Sequence, residues 1–330
     1  MSIKYSVLDL ATIVKGDNIQ RTFDKSVWAA QHVEALGYTR YWFSEHHNFP
    51  NVASAATSLL IGHVAGQTKT LRIGSGGIML PNHSTLSVAE QFGTLDGLYP
   101  GRIDLGLGRA PGTDMHTASI LRRGQLEQHY DFEGHIAELR KYMSTDNEQA
   151  NVRAIPGEGA DVPLYILGSS TDSAFLAAKL GLPYAFAAHF APGQLEIAMR
   201  IYEEHFVPSA VCKEPYKMVC INVMAADTDD EAHFLSLSHF QAFINILTDN
   251  RQPLLPPEET TLDNLPQEAL VHLNRMAART FVGSKATLSQ KLSEFVHDLK
   301  PHEIIVSGNI YDFKAKLKSY TIASEIFKDF

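Results

Sequence analysis

Three ionisable residues stand together in "YWFSEHHNFPN" (41–51): Glu45, His46 and His47. Histidine changes charge closest to neutral pH, so either ring could hold a proton, pass one on or ligate a metal. A metal centre on an α/β scaffold usually gathers three or more His, Asp or Glu ligands. His189 is a further candidate ligand, but no H-x-H or HExxH pattern occurs. If the stretch continues a strand, adjacent side chains point to opposite faces, and His46 and His47 do not easily share one ion. The expectation is a single histidine acting as proton donor, base or orienting group, and no metal. A purely structural pair, hydrogen-bonded to loop backbone, is the other reading.

Two more stretches carry chemistry. In "LGSSTDSAFLAAKLG" (167–181), Gly168, Ser169 and Ser170 end an apolar run, and Ser173 falls in the first turn of a helical pattern. Free backbone N–H groups at a helix N-terminus, joined by serine hydroxyls, suit an anion, although the same residues also cap helices. Arg109, in "GLGRAPG", is a cation that suits a phosphate if it faces the same space, and a structural salt bridge if it does not. The glycines of "RIGSGGIML" (72–80), including Gly76 and Gly77, interrupt an otherwise strand-like run. Glycine there marks either a bulge or the close approach of a flat ligand. Neither glycine stretch has the spacing of a dinucleotide fingerprint.

These residues need a frame that brings distant segments together. Apolar runs at 5–10, 39–45, 71–80, 102–108, 162–170, 182–190, 216–226 and 302–310 are each followed by a helical pattern. Near-continuous apolar strands separated by helices indicate a parallel sheet covered on both faces. Eight strand-then-helix units in a chain of 330 residues predict a (β/α)8 TIM barrel, residues 1–330 forming one domain. Gly37 and Gly181 fall where helix C-caps are expected. In such a barrel the active site lies at the C-terminal strand ends, where every candidate above falls. The polar, proline-rich 247–270 breaks the rhythm after the seventh strand and is read as a lid over that face.

Composition narrows the function classes. The net charge of −9 argues against nucleic acid as the main partner. Cys212 and Cys220 are the two cysteines and do not form a C-x-x-C pair, which fits a reducing compartment. The N-terminal "MSIKYSVLDL" has no signal-peptide pattern, and no window approaches the roughly 20 apolar residues of a membrane span, so a cytoplasmic protein is expected.

Taken together, "EHHNFPNVAS", "RIGSGGIMLPNHS", "LYPGRIDLGLGRAPGTD" and "LGSSTDSAFLAAKLGLPYAFAAHF" resemble the bacterial luciferase-like flavin monooxygenases, in particular single-chain members of unassigned substrate. The resemblance runs over essentially the whole chain. It implies a barrel that uses reduced FMN and O2, with a peroxide formed at flavin C4a that oxidises a small organic substrate. It further implies His46 as the catalytic histidine and a cis peptide at Gly76–Gly77 beneath the flavin ring. Arg109, Ser170 and Ser173 become phosphate contacts, with Gly168 and Ser169 in the same turn. Reduced flavin would come from a separate reductase, and the helices at 54–68 and 84–101 would form a homodimer. FMN is implied rather than a deazaflavin, because relatives using the latter generally lack the "EHH" context. There are departures: Ser119 stands where luciferase has a further phosphate arginine, for which Arg122 or Arg123 could substitute, and Ser169 replaces a glutamate. Two alternatives remain, a flavin-binding protein without oxygenase turnover and a metal-dependent hydrolase built on Glu45, His46 and His47.

Overall fold

The computed structural model describes residues 3–124, 130–147, 150–260 and 266–330. In chain order it begins β1 (Lys4–Asp9), α1 (Ile19–Leu36), β2 (Arg40–Phe43), α2 (Thr57–Ala65), β3 (Arg72–Met79), α3 (Thr85–Leu98) and β4 (Ile103–Gly108). Two helices follow, α4 (Met115–Leu121) and α5 (Phe132–Tyr142), then β5 (Leu164–Gly168), α6 (Thr171–Leu180), β6 (Tyr184–Ala187) and α7 (Leu195–Glu204). The last part is β7 (Lys217–Ala226), α8 (Asp229–Leu247), α9 (Gln267–Met276), β8 (Thr280–Ser284), α10 (Lys285–Leu299), β9 (Glu303–Ser307) and α11 (Phe313–Phe327).

All strand pairs are parallel, and the sheet closes because β1 pairs with both β2 and β9 while β7 pairs with both β6 and β9. The closed ring has eight strands, as the alternation predicts, and helices run between them. Gly37 (φ 84) and Gly181 (φ 59) cap α1 and α6 in the left-handed conformation that glycine adopts without steric cost.

One unit was not anticipated. The ten-residue β7 pairs with β9 over Met218–Asn222 and with a further strand, β8, over Asn222–Ala226. The region after α8 therefore holds β8 and the two helices that flank it, α9 and α10, outside the ring, and the strand at 303–307 is the ninth in sequence. The proline-rich insertion also differs from an irregular loop: α9 begins at Gln267, and residues 261–265 lie outside the described part. Its first half is seated on the barrel mouth. Leu254 exchanges backbone hydrogen bonds with Ile13 and Lys15 at 3.0 and 2.8 Å, and Arg251 Nη1 donates to the Asn48 carbonyl at 3.1 Å.

The two ends of the barrel differ in chemistry. At the N-terminal end, buried Arg40 forms a bidentate pair with Glu303 (2.7 and 3.1 Å) and reaches Asp104 at 2.8 Å. Arg72 Nε and Trp42 Nε1 also donate to Asp104, at 2.8 and 3.0 Å, and Tyr216 donates to Glu303 at 2.8 Å. Two cations and two carboxylates thus neutralise one another in a plug. Such a network contributes fit and register more than net stability, because desolvating the ions offsets much of their attraction.

Strands β3 and β4 approach unusually closely. A Cβ on Gly74 would lie 2.5 Å from the Asp104 carbonyl oxygen, and one on Gly106 would lie 2.3 Å from that of Ser75 and 2.5 Å from Leu167. Ser75 Oγ fills the seam, donating to the Gly106 carbonyl (2.9 Å) and accepting from its N–H (3.0 Å). Gly106→Ala is therefore expected to destabilise the fold by about 3 kcal/mol, the upper range for overpacking against backbone. Urea unfolding at pH 7 measures this; a loss below about 0.5 kcal/mol would show that the seam yields without strain.

Candidate active site

The site is assembled from the loops that leave the C-terminal strand ends. β2 stops at Phe43, so Glu45, His46 and His47 lie in a loop and not in a strand. The pleat therefore does not separate the two histidines. Their hydrogen-bond partners do. His47 Nε2 donates to Glu45 Oε1 at 2.9 Å, whereas His46 Nδ1 donates to the Gly112 carbonyl at 3.3 Å. The His47 N–H reaches the same carbonyl at 3.1 Å, and Thr113 Oγ1 donates to the His47 carbonyl at 2.8 Å. The "GRAPGTD" loop thus clamps "EHH". Gly112 is required there: it has φ 64, and a Cβ would meet the Glu45 carbonyl oxygen at 2.6 Å.

Glu45 is the hub. Fully buried, it accepts from the Met79 N–H at 2.9 Å and from His83 Nε2, which is 2.9 Å from both carboxylate oxygens. Asn82 adds a longer contact at 3.4 Å, and Arg122 Nε donates to Asn82 at 3.1 Å. Burial alone would push the Glu45 carboxyl up; hydrogen bonds from His47 and His83, the charge on His83 and the Met79 N–H outweigh it and bring it to about 2. His83 and Asn82 were not singled out from the sequence, although both lie in "MLPNHS" directly after β3. Arg122 is bound to this hub, and Arg123 stands at φ 53 beyond the end of α4.

His46 is held neutral. Burial lowers its affinity for a proton, and the Gly112 carbonyl and the Glu45 charge only partly oppose this. Because Nδ1 donates to Gly112, the lone pair of the neutral ring is on Nε2. His189, just past β6, is an electrostatic neighbour: burial, then the proximity of His46, brings it down to about 4. Behind it, α8 carries His239, brought down to about 3 by burial and then by His189. Among the described residues, His189 Nδ1 and His239 Nε2 are buried without a hydrogen-bond partner. No three His, Cys, Asp or Glu residues there are arranged to hold a metal, and both Glu45 oxygens are occupied by donors.

The predicted anion site is brought together around α6. Ser170 and Ser173 form a reciprocal cap in which each hydroxyl accepts from the other's backbone N–H at 3.4 Å. Ser173 Oγ also lies 2.8 Å from the Tyr184 hydroxyl and 2.7 Å from the Ser170 carbonyl. Gly168 makes room for this hydroxyl, since a Cβ would lie 2.1 Å from Ser173 Oγ. Ser169 sits in the same turn, half-buried. Arg109 reaches this turn from the end of β4, with Nη2 3.6 Å from Asp172 Oδ2; the arginine side chain is 59% exposed. The capping reading holds, and the cation stands beside it.

The glycines of β3 behave differently from a floor made for a ligand alone. Gly76–Gly77 is a cis peptide, as the resemblance implies. A Cβ on Gly76 would lie 2.8 Å from Leu8 Cδ1, and one on Gly77 would lie 2.7 Å from the Gly106 carbonyl oxygen. The barrel's own atoms thus exclude a side chain at both positions, and the register between β3 and β4 shifts between Ser75 and Ile78.

A closed parallel barrel with its polar groups gathered at the C-terminal mouth defines the class of protein. The chain belongs to the luciferase-like monooxygenase family, whose sequence profile matches residues 3–303. A luciferase-like monooxygenase of Escherichia coli K12 is 44% identical over 325 residues, covering 98% of this chain and 97% of its own. The crystal structure of apo-MsnO8 superposes with a TM-score of 0.87 at 30% identity, covering 98% of both chains. The oxygenating constituent of 3,6-diketocamphane monooxygenase from Pseudomonas putida, solved with FMN, has a TM-score of 0.74 at 17% identity, covering 100% of this chain and 99% of that one.

Glu45→Gln should cost on the order of 3 kcal/mol at pH 7, the size implied by moving a buried carboxyl from 4.5 to about 2. Because the folded value is depressed, wild type holds this stability above pH 4.5 and loses it as pH falls toward 2. Unfolding of both proteins at pH 6 and pH 3 should show the gap between them closing; a gap independent of pH would mean that the charge of Glu45 is not what matters.

Proposed function

We propose that this protein is an FMN-dependent monooxygenase that oxidises a small organic substrate, with reduced flavin delivered by a separate reductase. The observation that carries the reading is the juxtaposition at one barrel mouth of two unlike sites. One is an exposed arginine at a hydroxyl-rich helix N-terminus; the other is a neutral histidine with a free ring nitrogen. They suit the two ends of a flavin mononucleotide, an anionic phosphate and a redox-active ring. The shared fold of the diketocamphane enzyme, which was solved with FMN, supports the choice of cofactor.

The residues fit the phosphate. The Arg109–Asp172 contact is exposed on both sides, and pairs of that kind contribute little, so a dianionic ligand can displace Asp172. The hydroxyls of Ser170 and Ser173 keep acceptor and donor capacity beyond their capping bonds, and the amides of the Gly168–Ser170 turn lie at the positive end of α6. The ring would lie over the Gly76–Gly77 backbone, which the barrel packs too tightly for a side chain at either position. Reduced FMN, when bound, supplies the electrons that activate O2. His46 then holds or accepts a proton at Nε2 next to that chemistry, and the 251–259 segment limits the entry of water.

Two measurements test this. Fluorescence titration should show tighter binding of FMN than of riboflavin, and Arg109→Met should abolish that preference by lowering FMN affinity about tenfold, the order of one charge-assisted contact. Absence of FMN binding in either redox state sinks the reading. Stopped-flow mixing of the reduced flavin complex with O2 should show flavin reoxidation altered tenfold or more in His46→Ala, within the usual range for proton-transfer groups, while affinity changes less than about threefold. Identical traces would remove His46 from the chemistry.

A further inference from the structure

His189 and His239 lie outside the roles proposed above, and their hydrogen bonding is incomplete. His239 is 2% exposed and packs against Phe243, with ring centroids 4.4 Å apart. Its Nδ1 accepts from the backbone N–H of Asn309 at 3.3 Å. A neutral imidazole that accepts at one nitrogen carries its proton on the other, so His239 presents Nε2–H. That nitrogen is buried and has no acceptor among the described residues. His189 has the matching deficit: its Nδ1 is buried without a partner, while the residue as a whole is only half-buried. The position of His189 is fixed by its backbone, whose carbonyl accepts from Asn222 Nδ2 at 2.7 Å. Asn222, which holds His189, pairs with Ser307 at the end of β9, and Asn309, which holds His239, lies two residues beyond Ser307, so the two histidines are anchored to adjoining strand ends. The influence of His189 on His239, and of His46 on His189, agrees with this. Buried donors and acceptors left unsatisfied are rare in folded proteins, and the simplest resolution is that one water bridges these two.

We infer that His239 is a positioning residue: its Nε2–H reaches His189 Nδ1 across one bridging water, and thereby fixes the His189 proton on Nε2. The polarity then runs in one direction, from the Asn309 N–H through His239 to His189, and emerges at the mouth as an N–H donor. His46, pinned by the Gly112 carbonyl, contributes the opposite polarity there, a lone pair on Nε2. The mouth so offers one histidine donor and one histidine acceptor, both uncharged. That pairing suits an uncharged substrate function that accepts and donates at once, such as a hydroxyl or an unsubstituted amide. It disfavours an alkylammonium, which has nothing to accept the donor. The substrate assignment rests on the monooxygenase reading; the histidine polarity does not.

The experiment uses the full chain without flavin, labelled with 15N in its histidine rings. Two-bond 1H–15N correlation at pH 7 reports which nitrogen of each ring carries the proton. The expected wild-type pattern is Nε2–H for His239 and His189 and Nδ1–H for His46. In His239→Phe, His189 should lose its single form and show averaged nitrogen shifts, whereas His239→Gln, whose amide still offers an N–H, should restore it. A wild-type His189 protonated on Nδ1, or charged at pH 7, overturns the inference, as does a His189 spectrum unchanged in a folded His239→Phe. If His239→Phe does not fold, the wild-type pattern decides alone. Loss of FMN binding, by contrast, would bear only on the cofactor reading.

Discussion

The contact between β3 and β4 constrains both ends of this barrel. Glycine at 74 and 106 brings two backbones within a distance that any side chain would forbid, and Ser75 bonds across the gap to both the N–H and the carbonyl of Gly106. Below the seam, the approach of Gly74 to Asp104 sets the aspartate in the plug, where Arg40, Arg72 and Trp42 converge on it. Above it, the register slips between Ser75 and Ile78, and β3 leaves the sheet with the Met79 N–H aimed at Glu45. A bulge of this kind re-aims the residues that follow it. The position of the Glu45 hub is therefore a consequence of backbone packing deep in the wall.

Glu45 converts that geometry into electrostatics. A buried carboxylate needs donors on several sides to remain ionised, and it obtains them from two segments: His47 beside it, and Met79 and His83 at and just beyond the end of β3. The result is a negative charge whose lone pairs are committed and which does not compete for the proton of His46. That ring is left to the Gly112 carbonyl, which fixes its tautomer, and to burial, which keeps it neutral. The ionised groups of the plug and of the Glu45 hub are thus committed to partners in the barrel wall, and His46 beside that hub is uncharged.

Much of this was legible in the sequence, and the rest failed for identifiable reasons. The alternation of apolar runs with helical patterns reports burial on both faces of a parallel sheet, so the barrel and its strand order could be read. Once strand ends were located, so could the placement of Glu45, His46, Arg109 and Ser170 just beyond the C-terminal ends of β2, β4 and β5, because the mouth of a barrel is a fixed place. β8 was hidden because "RTFVGS" is short, contains a glycine and follows a proline-rich stretch that reads as loop. The plug was not readable: Arg40 and Glu303 are 263 positions apart, and each alone looks like a charged residue at a strand start. The separation of His46 from His47 was expected for the wrong reason, since the pleat ends at Phe43 and hydrogen-bond partners do the sorting.

The serines of α6 show why a capping motif and a binding motif need not compete. In a reciprocal cap each hydroxyl accepts from one backbone N–H, which uses one of its lone pairs. Ser173 spends its proton on the Ser170 carbonyl or on Tyr184, so it can meet an anion only by rotating that proton outward. Tyr184, whose hydroxyl is held near the Ser170 carbonyl at 3.2 Å, is placed to occupy the acceptor that such a rotation would abandon. The turn can thus exchange an internal bond for an external one without leaving a buried acceptor unpaired, a property that neither the serines nor the helix dipole would supply alone. Sequence spacing identifies the serines; the tyrosine that makes them available comes from β6, the next strand of the ring.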